Sequence, residues 1–281
     1  MTFSISKIKV RQLSGSIGAE ISGFDLRKDL NLDSAQWLRQ LFLDHLVIFF
    51  RDQHLSLDQY MAFAKAMGEP TEYPFVKGLD GYPCIIEVKK LEHETVNFGG
   101  IWHSDTSYLD IPPMGSMLLG REIPPFGGDT IFANQYLAWE TLTPTMQSML
   151  EGLVGINSSA KADVSKTRED RMNSSGKTVD LSEYRSLHPL VRLHPETGRK
   201  ALYVNIAHTV GIDGLSEQES QSLLVFLFAH QVKVELTCRF VWQVDSLAFW
   251  DNRCAQHNPV NDYHGYRRVM HRITLSGDRP R

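Results

Sequence analysis

Short β-like runs make up most of the chain from about residue 83 onward, and this pattern constrains the fold more than any other feature. Eight runs of four to eight residues stand at 84–88, 115–119, 129–133, 190–193, 201–205, 232–239, 246–250 and 268–275. Turn residues such as Pro112-Pro113 and Gly127-Gly128 separate them. Many short strands with turn signals between them are typical of a β-sandwich or a jelly roll. The sequence therefore predicts a mainly β core.

The first 82 residues have a mixed pattern. A helix is predicted from Asp33 to His45, where apolar residues recur along one face. Ser56 and Gln59 match a capping box, which predicts a second helix that ends at Gly68. Strands are predicted within 8–24 and at 46–50. Outside this segment, two further helices are predicted in the later part of the chain, at 143–152 and 216–231. We expect residues 1–82 to pack as an α/β segment on the β core, within one domain spanning 1–281.

One internal segment, residues 158–186, is polar and contains few large apolar side chains. Two interpretations of this segment stay open. It is either a lid over a site or an insertion without function, because long polar excursions from a compact domain serve both purposes.

Composition excludes several classes of protein. The net charge of −4 argues against a protein held on nucleic acid by bulk charge. No apolar run approaches the roughly 18 residues that span a membrane, and the N-terminus lacks the apolar region of a signal peptide. The three cysteines are few and widely spaced, which fits reduced thiols in the cytoplasm better than a disulfide framework. We therefore expect a cytoplasmic protein without a nucleic-acid or membrane partner.

The local motif with the clearest chemistry is His103-Ser104-Asp105. In an extended chain, residues i and i+2 point to the same face, so this imidazole and carboxylate can bind one metal ion together. A second histidine would complete a facial triad, the ligand set typical of non-haem Fe(II) centres that react with oxygen. The spacing alone is weak evidence, because His194-Pro195-Glu196 has it too. That second motif lies in a predicted hairpin turn and is not a site candidate.

Two arginines stand out in the last predicted strand. Alternation along 268–275 places Arg268, Met270, Arg272 and Thr274 on one face. Two guanidinium groups inside a β core are costly unless anions neutralise them, so a small dicarboxylate or an anionic substrate would explain them. The alternative is an edge strand whose arginines are solvated, and spacing alone does not separate the two.

Several separate motifs occur in a recognisable order. They are GAEISG at 18–23, LVIFFRDQ at 46–53, WHSD at 102–105, GGDT at 127–130 and WDNR at 250–253, followed by His257, Arg268 and Arg272. Together they resemble the taurine dioxygenase (TauD/TfdA) family of Fe(II)- and 2-oxoglutarate-dependent dioxygenases. The resemblance covers almost the whole chain, and an ordered set of motifs is far more specific than any single one.

The resemblance implies a double-stranded β-helix (jelly-roll, cupin-like) core with flanking helices. It implies that His103, Asp105 and His257 bind Fe(II), and that Thr130 and Arg268 hold the distal carboxylate of 2-oxoglutarate. It also implies that 2-oxoglutarate and O2 are cosubstrates, that succinate and CO2 are released, and that a C–H bond is hydroxylated. A homo-oligomer is a further family expectation.

The resemblance implies a small anionic substrate, a carboxylate or a sulfonate, with Arg272 facing its anionic group. Tyr73 stands where taurine-specific enzymes have a histidine, and Gly99 stands where they have an asparagine four residues before the first iron ligand. Both differences argue against taurine itself. Tyr73, Asn97 and Tyr108 are the remaining candidates for the substrate pocket.

Two other classes of function are compatible with such a fold. One is a cupin-like metal-binding protein without oxygenase activity, and the other is an interaction protein that keeps the fold without catalysis. Arg268 and Arg272 argue against the first, because a metal alone does not require them. The presence of His103, Asp105 and His257 argues against the second.

Overall fold

The computed structural model of the chain describes residues 8–28, 30–74, 76–97, 99–160 and 183–281. The strands are β1 (Lys9–Gln12), β2 (Ala19–Ser22), β3 (Val47–Phe50), β4 (Pro70–Thr71), β5 (Ile86–Lys90), β6 (Gly115–Glu122), β7 (Thr130–Asn134), β8 (Val154–Ser158), β9 (Arg185–Pro189), β10 (Val191–Leu193), β11 (Lys200–Leu202), β12 (Thr209–Ile212), β13 (Thr237–Phe240), β14 (Leu247–Asp251), β15 (Ala255–Pro259) and β16 (Arg268–Leu275). The helices are α1 (Leu32–His45), α2 (Leu57–Met67), α3 (Gln135–Glu140), α4 (Pro144–Leu150) and α5 (Glu217–His230). Most of the lid or insertion predicted at 158–186 lies outside the described residues.

An eight-stranded sheet forms the centre of the protein and takes strands from both ends of the chain. Its order is β1-β2-β3-β14-β6-β16-β4, with β5 also pairing β16. The β2–β3 pair is parallel, and the other pairs are antiparallel. Since β16 pairs with β6 on one side and with β4 and β5 on the other, it is an interior strand rather than an edge.

Helices α1 and α2 cover one face of this sheet. Asn31 and Ser56 cap their N-termini with capping boxes, so both helices begin where the local sequence favours a start. Their apolar faces pack on alternate strand residues, and the Phe42 and Phe249 rings stack with centroids 4.1 Å apart. Because successive side chains of a strand point to opposite faces of the sheet, the remaining side chains of these strands lie on the face away from α1 and α2.

That opposite face packs against a three-stranded sheet of order β13-β7-β15. Phe49 of the large sheet stacks on Phe240 of the small one at 4.1 Å, and Phe132 meets Phe49 edge-on at 5.5 Å. The remaining strands form a three-stranded sheet, β12-β8-β9, and the hairpin β10-β11. The result is a β-rich fold with flanking helices, in which two sheets enclose a common core.

Most of the predicted elements are confirmed, including the helices in 33–45 and 216–231 and the strand 268–275. The predicted strand at 232–239 is wrong in its first half, because Val234–Leu236 forms a turn of 3-10 helix before β13 begins. Strands β4, β8, β9, β12 and β15 and helix α3 were not predicted from the sequence, and β15 carries a candidate site residue. None of the described helices is long and apolar enough to cross a membrane.

Candidate active site

The backbone brings the two halves of the candidate metal site together. His103 and His257 form an isolated antiparallel bridge, in which each backbone N–H donates to the other residue's carbonyl at 3.0 and 2.9 Å. His257 lies on β15, so the bridge fixes the 103–105 segment against the edge of the small sheet. Residues 154 positions apart in sequence thus become neighbours through main-chain pairing alone.

The three predicted metal ligands meet at one point. Asp105 Oδ1 lies 3.6 Å from His103 Nε2 and 3.9 Å from His257 Nε2. One ligand atom from each of the three residues lies within 4.8 Å of the others, and all three residues are buried. Two imidazole nitrogens and one carboxylate oxygen on one side of a shared point can hold a single metal ion and leave its other positions open.

The surroundings of each imidazole favour a role as a ligand. His103 Nδ1 lies 2.7 Å from the Ile101 carbonyl, which can only accept, so Nδ1 carries the proton and Nε2 offers its lone pair. Burial, reinforced by the positive charges of nearby groups, lowers the pKa of His257 well below its ordinary value. A neutral imidazole is the form that binds metal.

The carboxylate of Asp105 is held in its charged form. Burial alone would raise the pKa of Asp105, but Arg272 and the two ligand histidines lower it well below its ordinary value. Arg272 Nη2 lies 2.8 Å from Asp105 Oδ1, as an ion pair. The site therefore presents an ionised carboxylate, which is the form that ligates a cation.

Gly99 permits the chain to pass close to the first ligand. Its φ of +68° is in the left-handed region, and a Cβ built there would lie 2.9 Å from His103 Cε1. An asparagine at this position, as in the taurine-specific pattern, would collide with the imidazole in this conformation. The difference at Gly99 therefore has a local structural reason.

Arg268 and Thr130 line a narrow cleft that also contains His257 and Arg272. Arg268 is only 6% exposed, and its Nε and Nη2 have no hydrogen-bond partner among the described residues. The indole N–H of Trp242 donates to Thr130 Oγ1 at 3.0 Å, which leaves the threonine hydroxyl free to donate. The edge-strand alternative is wrong: β16 is interior, and both of its arginines are buried. The cleft can therefore bind an anion through the Arg268 guanidinium and the Thr130 hydroxyl.

A larger cavity of about 210 Å³ lies on the other side of His103 and Asp105. Its lining includes the four candidates for the substrate pocket, Arg272, Tyr73, Tyr108 and Asn97. The Arg272 guanidinium lies over the Tyr73 ring, 5.3 Å from its centroid. The Asn97 amide is already engaged, because its Oδ1 accepts from the Tyr263 hydroxyl and its Nδ2 donates to the Val260 carbonyl. Asn97 therefore ties the cavity wall to the 259–263 segment.

His208 also lines this cavity and was not predicted from the sequence. Its ring lies 4.8 Å from that of Tyr108 and 6.1 Å from that of His103. Its Nδ1 is 2.9 Å from Ser107 Oγ, and Asn205 Nδ2 donates to the same oxygen at 2.9 Å. The Ser107 hydroxyl therefore links His208 and Asn205 in one hydrogen-bond network. His208 lies between β11 and β12 without a motif around it, so no sequence signal marked it.

The second H-x-acid motif lies away from this site. His194 stands in the turn of the β10–β11 hairpin, as predicted. Together with Asp251 and Cys254 it forms a second buried group with metal-ligating atoms. Asp251 is already bound by Arg253 through two hydrogen bonds and by His194 at 3.0 Å, and His194 Nδ1 accepts two backbone N–H groups. This group is a satisfied structural network.

The fold and site thus define a β-rich protein with a candidate site for one metal ion beside two buried arginines. The family described as "Taurine catabolism dioxygenase TauD, TfdA family" matches residues 9–274. The chain belongs to this family and is an α-ketoglutarate-dependent (2-oxoglutarate-dependent) dioxygenase.

Individual relatives agree over nearly the full length. An alkylsulfatase of Acinetobacter baylyi is 36% identical, over 97% of this chain and 86% of its own. An alpha-ketoglutarate-dependent sulfate ester dioxygenase of Pseudomonas putida is 33% identical, over 98% of this chain and 91% of its own. The crystal structure of a taurine dioxygenase from Burkholderia xenovorans superposes with a TM-score of 0.82 at 35% identity, covering 98% of this chain and 92% of the other.

Proposed function

We propose that this enzyme is an Fe(II)- and 2-oxoglutarate-dependent dioxygenase that hydroxylates a small anionic molecule, a sulfate ester first and a sulfonate second. The observation that carries the proposal is the placement of the buried Arg272 between two compartments. It lines both the narrow cleft with Arg268 and the larger cavity with His208, and it lies beside Asp105. An anionic substrate in the cavity would be held directly next to the metal position.

Iron is the metal that the donor set favours. His103 and His257 supply one nitrogen each and Asp105 one oxygen, which is the ligand set of non-haem Fe(II) oxygenases. When bound, Fe(II) with 2-oxoglutarate and O2 supplies the oxidising chemistry that breaks an unreactive C–H bond. The chain's own residues would hold the metal through these three side chains, all of which are buried.

The narrow cleft is suited to 2-oxoglutarate. Arg268 can give the distal carboxylate its Nε and Nη2, for which the described part of the chain supplies no hydrogen-bond partner. The Thr130 hydroxyl can donate to the same group. The cost of burying an arginine without an anion is high, so these unpaired donors support a resident carboxylate. The cleft also contains His257, so a carboxylate at Arg268 would leave the keto-acid end near the metal.

The larger cavity is suited to an anionic head with an apolar tail. Arg272 offers a charged donor inside it, whereas Val96 and Ile101 are 48% and 42% exposed along its wall. An alkyl or aryl chain could lie on these two side chains while the head group pairs with Arg272. This division suits an alkyl sulfate better than taurine, whose short chain ends in a second charge.

The products of a sulfate ester follow from its chemistry. Hydroxylation at the carbon that bears the ester oxygen places two oxygen substituents on one carbon. That carbon expels sulfate and becomes an aldehyde, whereas hydroxylation elsewhere in the chain would leave the ester intact. Sulfate release therefore reports both the substrate class and the position of attack.

A substrate panel tests the proposal. Alkyl sulfates of increasing chain length, the matched alkanesulfonates, taurine and phenoxyacetate are compared by succinate release above the background without substrate, and by free sulfate. We expect the highest coupled rate with an alkyl sulfate, and loss of coupling in Arg272→Met. Rates that rank taurine above every alkyl sulfate, or coupling that is unchanged in Arg272→Met, would overturn the substrate assignment.

The same proposal includes the fold. The large sheet and the β13-β7-β15 sheet share one core, which supports a double-stranded β-helix spanning a single domain over 1–281. Of the alternatives, a metal-binding protein without oxygenase activity leaves the burial of Arg268 unexplained. Family membership supports the enzyme over a non-catalytic interaction protein.

A further inference from the structure

A chain of buried hydrogen bonds leads from the large sheet to Asp105. Ser116 Oγ lies 2.6 Å from Asp105 Oδ2, Asn252 Nδ2 lies 3.0 Å from Ser116 Oγ, and Trp250 Nε1 lies 2.9 Å from Asn252 Oδ1. None of these four residues is more than 3% exposed. Ser116 and Trp250 are also directly paired across β6 and β14, so the chain rests on regular strand pairing.

The direction of every hydrogen bond in this chain is determined. The indole N–H of Trp250 can only donate, so the Asn252 atom it meets is the carbonyl oxygen. The Asn252 amide nitrogen then donates to Ser116 Oγ. Because that oxygen accepts from Asn252, the single Ser116 hydrogen is directed to Asp105 Oδ2. The backbone N–H of Asp105 also donates to Asn252 Oδ1, at 3.3 Å, which closes the network.

This network fixes which carboxylate oxygen meets the metal position. Oδ2 accepts from Ser116, and Oδ1 is the oxygen that lies near the Nε2 atoms of His103 and His257. The hydrogen bond from Ser116 orients the carboxylate so that Oδ1, which also pairs with Arg272, faces the two imidazoles, and this orientation favours ligation through that one oxygen. The Trp250 ring also packs against His257, with centroids 4.7 Å apart. Trp250 therefore contacts one candidate ligand directly and is connected to Asp105 through Asn252 and Ser116.

We propose that Ser116, oriented by Asn252 and Trp250, is a positioning residue that holds Asp105 as a one-oxygen ligand. This inference rests on the proposed role of Asp105 as a metal ligand. Outer partners of metal ligands typically contribute 10- to 100-fold to metal affinity. Free rotation of the carboxylate in the absence of the hydroxyl would let both oxygens ligate and occupy a position that the cosubstrates need.

Titration of the purified protein with Mn(II) alone tests the proposal. We expect Ser116→Ala to weaken Mn(II) binding about 10- to 100-fold, and Ser116→Thr, which keeps the hydroxyl, to restore it to within about threefold of wild type. Asn252→Ala keeps both partners but releases the serine hydroxyl, and should weaken binding by a smaller factor. Water-proton relaxation of the Mn(II) protein should show fewer exchangeable waters in Ser116→Ala.

Two control variants distinguish failure of the positioning role from failure of the proposed metal site. Ser220→Ala is the matched control, because Ser220 is equally buried but its hydroxyl bonds the Ile212 carbonyl. His103→Ala tests the metal site itself, and wild-type affinity in that variant would refute the proposed function. Loss of binding in His103→Ala with unchanged binding in Ser116→Ala and Asn252→Ala would refute the positioning role alone. If Ser116→Ala and Ser220→Ala lose Mn(II) affinity equally, the loss reflects general destabilisation of the fold, and the proposal is overturned.

Discussion

Replacement of Arg268 by methionine tests the cosubstrate cleft most sharply. Methionine keeps much of the apolar stem but removes the guanidinium, whose Nε and Nη2 have no hydrogen-bond partner among the described residues. A truncated buried charge pair costs about 2–5 kcal/mol of binding free energy. Since each 1.4 kcal/mol is a factor of ten, the dissociation constant for 2-oxoglutarate should rise about 30- to 4,000-fold.

Without ligand, the same replacement should not destabilise the folded protein. Burial disfavours the charged form and lowers the pKa of Arg268, so without an anion the guanidinium is a cost to the folded state. We therefore expect no fall in the melting temperature of Arg268→Met without ligand. We also expect the stabilisation that 2-oxoglutarate gives to wild type to be lost in this variant.

Calorimetric titration of the Mn(II)-loaded protein with 2-oxoglutarate measures the binding, and thermal unfolding measures stability. Arg279→Met is the control, because Arg279 is exposed and pairs with Asp110 at the surface. A dissociation constant for Arg268→Met within threefold of wild type would refute the assignment of this arginine. Weak binding accompanied by an equal loss in Arg279→Met would show that the assay reports net charge rather than the cleft.

Three further predictions follow from the packing. Gly99→Ala should weaken Mn(II) binding about tenfold or more, measured by titration, because the new Cβ meets the His103 ring at a positive φ. Of the three cysteines, Cys84 should react fastest with a thiol reagent in the native protein at pH 8, because the other two are buried; burial raises the pKa of all three thiols, to about 12 for Cys238. Asp251→Asn should lower the free energy of unfolding at pH 7 by about 1.5–3 kcal/mol, because it removes the buried carboxylate partner of Arg253 and leaves that guanidinium with the partly exposed Glu196. Burial alone would raise the pKa of Asp251, but Arg253 and a histidine hold it below its ordinary value, so the wild-type contribution should disappear as the pH falls below about 4.

Each of these has a contradicting result. Unchanged Mn(II) affinity in Gly99→Ala would mean that the loop relaxes away from the imidazole. Rapid labelling of more than one thiol in the native protein would contradict the burial of Cys238 and Cys254. Labelling of the protein unfolded in guanidinium is the control, because it gives the total number of thiols. For Asp251→Asn, wild-type stability at pH 7, or the same steep loss below pH 4 as wild type, would show that the buried ion pair contributes little.

The sequence predicts best where the signal is local. The strand 268–275 alternates strongly, so its bounds and the set of residues that share one face were both predicted. Whether Arg268 and Arg272 are solvated depends on strand partners far away in sequence, which alternation cannot show. His257 shows the opposite limit: β15 reads Ala-Gln-His-Asn-Pro, has no apolar alternation, and forms a strand only because β7 pairs with it.

Polar networks in the site are the least predictable from the sequence. Ser116 and Asn252 are common residue types, and nothing near them marks contact with Asp105. They meet because β6 and β14 pair in one register, which places Trp250 opposite Ser116. His208 is similar, since its role depends on Ser107 and on the position of the β11–β12 connection. Such contacts arise from tertiary packing, so they need a structure.

The central claim is that His103, Asp105 and His257 hold iron beside a 2-oxoglutarate that Arg268 anchors. Anaerobic addition of Fe(II) and then 2-oxoglutarate to the protein tests this most directly. We expect a weak visible charge-transfer band in wild type and no band in His103→Ala. We also expect Arg268→Met to need a far higher 2-oxoglutarate concentration for the same band. No band in wild type, or an unchanged band in His103→Ala, would contradict the claim.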